Sequence, residues 1–241
     1  VMDIRDKAIL LTGGTAGIGA ELARQLAAEG AQVIVTGRSA TGLENAREQG
    51  FDAIAADLSG PGGTAAILDA LGDRTIDILI NNAGQGVDHD FRKAAPDLEA
   101  ADDCIYANFN SPVRLIAALL PRLKQRPEAA IVNVTSGLAI APNTGSPVYC
   151  ATKAALRSYT QALRAQLSGC NVHVVEALPP VVATQMTAGM GGIKMPPEEC
   201  AAQIIRAIEK NDHEANIGMV RILRGVHSLS PKLAAWMMLR F

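Results

Sequence analysis

Short apolar runs alternate with amphipathic segments along most of the chain. The runs contain four to six residues, too few for a helix but typical of strands buried on both faces of a parallel sheet. In the segments between them, apolar residues recur every three or four positions, as on the buried face of a helix. Strands are therefore predicted at residues 8–12, 32–36, 53–56, 76–80, 130–135 and 172–177, with a last short strand near 216–220.

Helices fill most of the intervals between these runs. They are predicted at residues 18–29, 43–49, 64–71, 98–120, 149–167 and 196–210, and Pro121 is expected to end the fourth of them. Strands separated by helices in this order predict an α/β fold, in which a parallel sheet is covered by helices on both faces. The carboxyl ends of the strands should then form the ligand crevice.

The length of the chain fits one domain, spanning residues 1–241. Within it we expect a short lid at residues 182–200 and a helical tail at 228–241. Ser230 is a plausible cap for the tail, with Pro231 at the first helical position. The tail is apolar to the chain end, so it packs on its own domain, forms a subunit interface or contacts a membrane surface. Its cations, Lys232 and Arg240, are few for membrane contact.

A glycine-rich turn follows the first predicted strand and opens the first helix. Its sequence, Thr-Gly-Gly-Thr-Ala-Gly-Ile-Gly at residues 12–19, does not have the spacing of the G-x-G-x-x-G fingerprint. An ordinary turn is the alternative interpretation. However, the order of strand, turn and helix would present backbone N–H groups to a pyrophosphate. We therefore predict a dinucleotide site, with contacts from Gly13, Thr15, Ala16, Gly17, Ile18 and Gly19.

The residues after the second strand bear on which nicotinamide cofactor binds. An NAD site usually carries an acidic residue here, whereas an Arg accommodates the 2′-phosphate of NADP. This chain has Arg38 and Ser39, and the first acid is Glu44. We expect NADP(H) to be preferred, with Arg38 on the phosphate and Ser39 as a hydrogen-bond partner, while NAD(H) remains possible. The alternative is an ordinary exposed arginine.

Tyr149 and Lys153 are the candidate proton-transfer pair. They are four residues apart in a predicted helix, which places them on one face. A positive neighbour favours the phenolate and lowers the pKa of a tyrosine toward the neutral range. This spacing alone is weak, because tyrosines and lysines also meet on solvated helix faces.

Composition and charge narrow the function classes. The formal net charge of −2 provides no basic surface for nucleic acid. The four cysteines lie far apart and the four histidines have no ligand spacing, so no metal site is expected. The first residues lack a signal-peptide core and no apolar run reaches membrane-spanning length. We expect a cytoplasmic protein without nucleic-acid or membrane partners.

Taken together, these motifs resemble the short-chain dehydrogenase/reductase family over nearly the whole chain. Residues 12–19 are similar to its T-G-x-x-x-G-x-G turn and residues 81–84 to its N-N-A-G motif. The resemblance implies a Rossmann-type doubly wound sheet of about seven strands in the order 3-2-1-4-5-6-7. It also implies cofactor contacts from Asp57, Leu58, Asn82, Ala83, Gly84, Tyr149, Lys153, Pro179, Val182 and Thr184.

The family's catalytic tetrad falls on Asn108, Ser136, Tyr149 and Lys153 in this sequence. The resemblance implies hydride transfer between a nicotinamide and a carbonyl or alcohol carbon. Tyr149 would be the general acid or base, with Ser136 holding the same oxygen. Lys153 would lower the pKa of Tyr149 and bind the ribose, and Asn108 would carry a relay water. Pro179-Pro180 departs from the family's common Pro-Gly. Other details resemble the DltE-like oxidoreductase subgroup.

The substrate site is expected beside the tetrad. Its predicted contacts are Ser136, Leu138, Val148, Tyr149, Met186 and Met190. Because most of these are apolar and these loops have no cation before Lys194, we expect a neutral ketone, aldehyde or secondary alcohol. The resemblance also implies a homodimer or homotetramer. Open alternatives are an NAD-dependent alcohol dehydrogenase, a non-redox lyase or dehalogenase, and a non-catalytic sensor of NADP(H).

Overall fold

A seven-stranded parallel sheet forms the centre of the computed structural model, which describes residues 1–240 of the chain. Its spatial order is β3-β2-β1-β4-β5-β6-β7, which confirms the predicted doubly wound topology. The strands are β1 Ala8–Leu11, β2 Gln32–Gly37, β3 Asp52–Ala55, β4 Ile78–Asn81, β5 Ala129–Val134, β6 Val172–Leu178 and β7 Glu214–Asn216.

Helices cover both faces of this sheet. They are α1 Gly17–Ala28, α2 Ala40–Glu48, α3 Pro61–Leu71, α4 Leu98–Ile105, α5 Ser111–Leu123, α6 Pro147–Gln166, α7 Pro197–Lys210, α8 Val220–Leu229 and α9 Pro231–Met238. A π-helical turn, Tyr106–Asn110, joins α4 to α5, and 3-10 turns occur at Gly137–Ala139 and Gln185–Thr187.

The apolar core has two layers, one on each face of the sheet. In β1, Ile9 and Leu11 face the layer that contains α1 and α7, whereas Leu10 faces the layer that contains α3, α5 and α6. All three side chains are fully buried. A strand covered on both faces has no polar side, which explains why its sequence reads as a continuous apolar run.

The structure corrects two predicted boundaries. Pro121 does not end its helix, because α5 continues to Leu123, whose side chain is buried in the core with that of Leu119. The last strand is Glu214–Asn216 and does not extend over 216–220. Gly218 has a φ of 52°, a left-handed conformation that ends the extended chain, and Val220 then begins α8.

The lid and the tail follow the core elements. Val182 pairs with Met195 in an isolated parallel bridge, which joins the two ends of the lid. The side chain of Ser230 accepts a hydrogen bond from the backbone N–H of Leu233 at 3.2 Å, so the predicted cap of the tail is confirmed. Phe241, the last residue of the predicted tail, lies outside the described residues. Within residues 1–240, none of the helices combines the length and apolarity needed to cross a membrane.

Candidate active site

The predicted site residues gather at one edge of the sheet because all seven strands are parallel and end there. The glycine turn follows β1, the N-N-A-G motif begins at the last residue of β4, and Ser136 lies two residues after the end of β5. Helix α6 begins at the same edge and carries Tyr149 and Lys153 in its first two turns. Parallel α/β folds bind their ligands at this edge.

The glycine turn is compact and presents a helix N-terminus. Gly13 has a φ of 65°, which side chains other than glycine rarely adopt. A Cβ at Gly19 would overlap the carbonyl oxygen of Gly13, so the turn closes only with glycine there. Helix α1 starts at Gly17 behind Ala16, whose methyl group cannot accept from the first-turn N–H groups. Those donors fit a pyrophosphate.

Asn82 and Thr12 hold the glycine turn against β4. The Nδ2 of Asn82 donates to the carbonyls of Thr12 and Gly13, at 3.0 and 3.2 Å. In return, Thr12 Oγ1 accepts from the backbone N–H groups of Asn82 and Ala83, at 3.1 and 3.0 Å. Gly84 lies beyond them, close to Asn108 and Lys153. The motif thus connects the dinucleotide turn to the proposed proton-transfer residues.

A groove of about 630 Å³ opens beside Arg38 and Asp57. Arg38 is exposed and its Nη1 donates to Oε1 of Gln85 at 3.3 Å. The N–H of Ser59 donates to Asp57, and this bond, helped by the Arg38 charge, lowers the pKa of Asp57. Ser39 Oγ caps α2 by accepting from Gly42. The side chain of Leu58 is buried in the core, so it does not line this groove.

Lys153 is a buried cation. Within residues 1–240, its ammonium group donates one hydrogen bond, to a neutral backbone carbonyl. Its side chain is 3% exposed, and Nζ donates to the carbonyl of Val134 at 2.9 Å. An ammonium has three N–H donors, so two remain for a ligand. Burial lowers the pKa of Lys153 to about 8, and the group is therefore mostly charged at neutral pH.

Tyr149 lies half-buried beside Lys153, whose Nζ is 5.6 Å from the centre of the phenol ring. Burial raises the pKa of Tyr149 to about 12, and a hydrogen bond with Ser136 opposes the rise. This direction is opposite to the lowering that we expected from the Lys153 charge. The physical reason is that the loss of solvation on burial outweighs the hydrogen bond with Ser136. The phenol is consequently protonated at neutral pH.

Asn108 occupies the π-helical turn between α4 and α5. Its Oδ1 accepts from the N–H of Gln85 at 2.8 Å, while Nδ2 donates to the Gln85 carbonyl at 2.9 Å and to Thr152 Oγ1 at 3.0 Å. These contacts engage the side chain fully. Pro112, four residues on, has no N–H for the usual α-helical bond to the Asn108 carbonyl. A relay water would therefore bind this carbonyl rather than the side chain.

The segment after β6 holds the three remaining predicted cofactor contacts. The Pro179 carbonyl accepts from the N–H of Gly137 at 3.0 Å. A Cβ at Gly17 would lie 2.9 Å from the Thr184 methyl group, so Thr184 packs against the start of α1. The side chain of Val182 is buried in the core, which leaves only its backbone for a cofactor contact.

The predicted substrate contacts divide between the cleft and the lid. Leu138 and Val148 are half-buried beside Ser136 and Tyr149 in sequence, whereas Met186 and Met190 are exposed on the lid.

Helix α8, which packs near the same edge of the sheet, was not predicted from the sequence. A Cβ at Gly137 would lie 2.9 Å from Val220 Cγ2 and 3.7 Å from Leu223 Cδ2. The repetition of apolar residues every three positions from 220 to 226 was the available signal.

A buried ion-pair network behind the site was also missed. Glu176 is completely buried in β6, and its Oε1 accepts from Thr135 Oγ1 at 2.8 Å. Arg157 Nη1 donates to Glu176 Oε2 at 2.6 Å, and Nη2 donates to Glu214 Oε1 at 3.0 Å. The available sequence signal was Glu176, the single acidic residue in a mostly apolar strand. Across residues 1–240, no cluster of three or more His, Cys, Asp or Glu side chains suits a metal ion.

Known proteins resemble the chain in sequence and fold. The profile of the short chain dehydrogenase family matches residues 7–191. The uncharacterized oxidoreductase DltE of Bacillus subtilis strain 168 is 43% identical over 187 residues, which cover 76% of this chain and 74% of that protein. A fatty acyl-CoA reductase of Acinetobacter baylyi is 27% identical over 251 aligned positions, covering 96% of this chain and 82% of that protein.

A solved structure matches almost the whole fold. The crystal structure of a short chain dehydrogenase from Burkholderia cenocepacia J2315, in complex with NADP, superimposes with a TM-score of 0.88. The two sequences are 26% identical, and the match covers 99% of each chain.

Proposed function

The chain belongs to the short-chain dehydrogenase/reductase family, in its DltE-like subgroup, and we propose that it transfers a hydride between NADP(H) and a neutral, mainly apolar carbonyl or alcohol. The observation that carries this proposal is the pairing of Tyr149 with Ser136 beside the buried ammonium of Lys153. A protonated phenol at the ligand edge of the sheet is suited to donate a proton to a carbonyl oxygen.

The proton step follows from the positions of these groups. NADPH, when bound, supplies the hydride that reduces the carbonyl carbon. Tyr149 donates its proton to the oxygen as negative charge develops there, and Ser136 hydrogen-bonds the same oxygen. Lys153 binds the ribose hydroxyls with its two remaining donors, and its charge stabilises the phenolate that Tyr149 leaves behind. A water on the Asn108 carbonyl returns the proton from solvent.

The residues around the glycine turn fit a dinucleotide phosphate. The N-terminus of α1 provides N–H donors, and Arg38 stands beside a groove rich in glycine. Guanidinium groups bind phosphate through paired hydrogen bonds, which supports a preference for NADP(H). The NADP complex of the Burkholderia cenocepacia structure is consistent with this assignment.

The apolar surroundings support a neutral substrate. The lid carries Met186 and Met190, which adapt to irregular shapes, and its nearest cation, Lys194, donates to the Thr187 carbonyl at 2.5 Å. The relative from Acinetobacter baylyi is named a fatty acyl-CoA reductase, which also favours an apolar substrate.

The decisive experiment is Tyr149→Phe, assayed for NADPH oxidation with a panel of aliphatic and aromatic ketones and aldehydes. We expect turnover to fall by at least about 10²-fold, because a general acid contributes that much or more. NADPH affinity, measured by fluorescence titration, should change little, since the phenol ring remains in place.

Tyr159→Phe provides the matched control. Tyr159 lies on the same helix, where its ring meets Phe109 edge to face with centroids 6.2 Å apart. It should therefore retain wild-type turnover. Near-normal turnover in Tyr149→Phe would remove Tyr149 from the proton step, and a wild-type protein that oxidises NADPH with none of the carbonyls would refute the proposed function.

A further inference from the structure

Helix α8 begins beside the proposed catalytic serine. Strands β5, β6 and β7 are parallel, so the chain leaves β7 at the edge where β5 delivers Ser136. Val220 and Leu223, in the first turn of α8, contact the position where Gly137 would carry a side chain. Val220 is only 3% exposed and packs against Gly137, whereas Leu223 is half-buried. Because Gly137 directly follows Ser136, the first turn of α8 borders the cleft at Leu223.

The start of α8 also adjoins the lid. A Cβ at Gly218 would lie 2.6 Å from Met195 Cε and 3.5 Å from Pro180 Cγ. Met195 pairs with Val182 at the base of the lid, so the lid and α8 share a boundary. The base of the lid and the start of α8 are therefore adjacent.

The surface of the lid and the first turn of α8 is unusually apolar for one that faces solvent. Of the fifteen exposed large hydrophobic side chains in the described residues 1–240, eleven lie at or after Val181. Six of them lie in the lid, directly before it, or in the first turn of α8 with its N-cap: Val181, Met186, Met190, Ile193, Met219 and Ile222. Met219 is 68% exposed and Ile222 is 58% exposed. Contiguous exposed apolar surface marks binding sites more often than isolated hydrophobic residues do.

Ion pairs fix helix α8 to the catalytic helix. Arg224 of α8 lies 3.6 Å from Glu214, which Arg157 of α6 contacts at 3.0 Å. Arg157 is one turn beyond Lys153, and its second contact, Glu176, is fully buried. Helix α8 is thus held in a fixed position relative to Tyr149 and Lys153, as a surface that selects substrates requires.

We propose that the lid and the first turn of α8 bind an unbranched aliphatic chain attached to the substrate carbonyl. This inference rests on the proposed function and names its substrate class, the aliphatic ketones and aldehydes. The carbonyl lies at Ser136 and Tyr149, and the chain extends past Leu223, which is half-buried, to the exposed Met219 and Ile222. Continuity with the cleft argues for a chain of the substrate rather than a separate partner.

The test is the affinity of straight-chain primary amides for the protein saturated with NADP⁺, measured by calorimetry. Butanamide, hexanamide and octanamide present the same carbonyl and differ only in chain length. Each fully buried methylene group raises the affinity about fourfold. When one side of the chain stays in water, each methylene raises it about twofold. Octanamide should therefore bind about 16-fold more tightly than butanamide.

Ile222→Asp should reduce this ratio to about fourfold or less, because it places a charge on the path of the chain. Leu229→Asp is the matched control, since Leu229 is 90% exposed on the same helix and lies about 10 Å farther along it. It should retain the wild-type ratio. The molecular mass of each variant in solution is measured by light scattering.

Equal affinities for butanamide and octanamide in the wild type would overturn the inference. So would an Ile222→Asp variant that keeps the wild-type ratio but falls to a smaller oligomer, because the surface would then be a subunit contact. If the amides show the chain-length dependence while NADPH reduces no carbonyl, the proposed function fails and the binding surface stands. The two proposals can therefore fail separately.

Discussion

The cofactor side and the substrate side of the cleft are built differently. On the cofactor side, glycines and the hydrogen bonds between Thr12 and Asn82–Ala83 fix the backbone of the turn that would hold the pyrophosphate. On the substrate side, the lid and α8 expose apolar side chains. Directional contacts suit a ligand whose shape never varies, whereas apolar area is non-directional and accommodates a series of related chains. The substrate side should therefore tolerate changes that the cofactor side does not.

The largest effect is expected from removing the ion pair that joins the substrate side to the catalytic helix. Arg157→Met leaves Glu176 buried without its cation, which typically costs about 3–5 kcal/mol of stability. We expect the free energy of unfolding, measured by urea denaturation, to fall by this amount. Arg24→Met, which breaks the exposed pair with Glu21, should cost at most about 1 kcal/mol.

The pH dependence of the unfolding free energy of Arg157→Met tests whether an unpaired charge causes the loss of stability. Burial already raises the pKa of Glu176, and the charge of Arg157 is the main opposing influence. Without that charge, the folded chain binds the proton of Glu176 more tightly than the unfolded chain does. The stability of the variant should consequently decrease further, relative to the wild type, as pH rises from about 5 to about 8. A difference between variant and wild type that is constant over this range would show that lost packing, not an unpaired charge, causes the effect.

On the cofactor side, the charge of Lys153 depends on pH. Burial lowers its pKa to about 8, so the ammonium is present below this pH and is lost above it. We expect the Kd of NADPH to rise with pH, by at most about tenfold for each unit above about 8. Lys153→Met should bind NADPH weakly and without this dependence. Burial raises the pKa of the neighbouring Cys104 thiol above its ordinary value.

Arg38 tests whether the cofactor side distinguishes the two nicotinamide cofactors. Its guanidinium lies beside the groove that also contains Asp57. We expect NADPH to bind at least about tenfold more tightly than NADH, and Arg38→Ala to remove most of this difference of about 1.4 kcal/mol. Fluorescence titrations at fixed salt concentration measure both constants. Equal affinities in the wild type would make NAD the cofactor to use in activity assays.

The sequence was most informative where function depends on the backbone. The glycine turn and the ligand edge of a parallel sheet follow from apolar runs and spacing, whereas the strand order and Ser136 were implied by the family resemblance. The structure has this strand order and places Ser136 and Tyr149 at that edge. The direction of the Tyr149 pKa was wrong, because desolvation depends on every atom packed around the phenol. The apolar spacing from Val220 to Val226 was sufficient to predict α8, but its contact with Gly137 joins residues more than 80 positions apart and leaves no mark on local spacing.

The smallest predicted effect concerns two helical glycines, one on each side of the cleft. A Cβ at Gly225, in α8, would meet no heavy atom of residues 1–240 within 4 Å, apart from its own helix backbone and chain neighbours. Gly225→Ala should therefore raise the free energy of unfolding by about 0.5–1 kcal/mol, because alanine favours the helix. Thermal unfolding measures this change, and the Kd of NADPH should stay constant.

Gly63→Ala is the counterpart on the cofactor side. Gly63 is also helical, in α3, but a Cβ there would overlap the carbonyl oxygen of Asp57 beside the Arg38 groove. This variant should lose stability and bind NADPH more weakly, although the same methyl group is added to the same kind of helix. If Gly225→Ala were instead the destabilised variant, α8 would be covered in solution and would not be the open surface that distinguishes the substrate side.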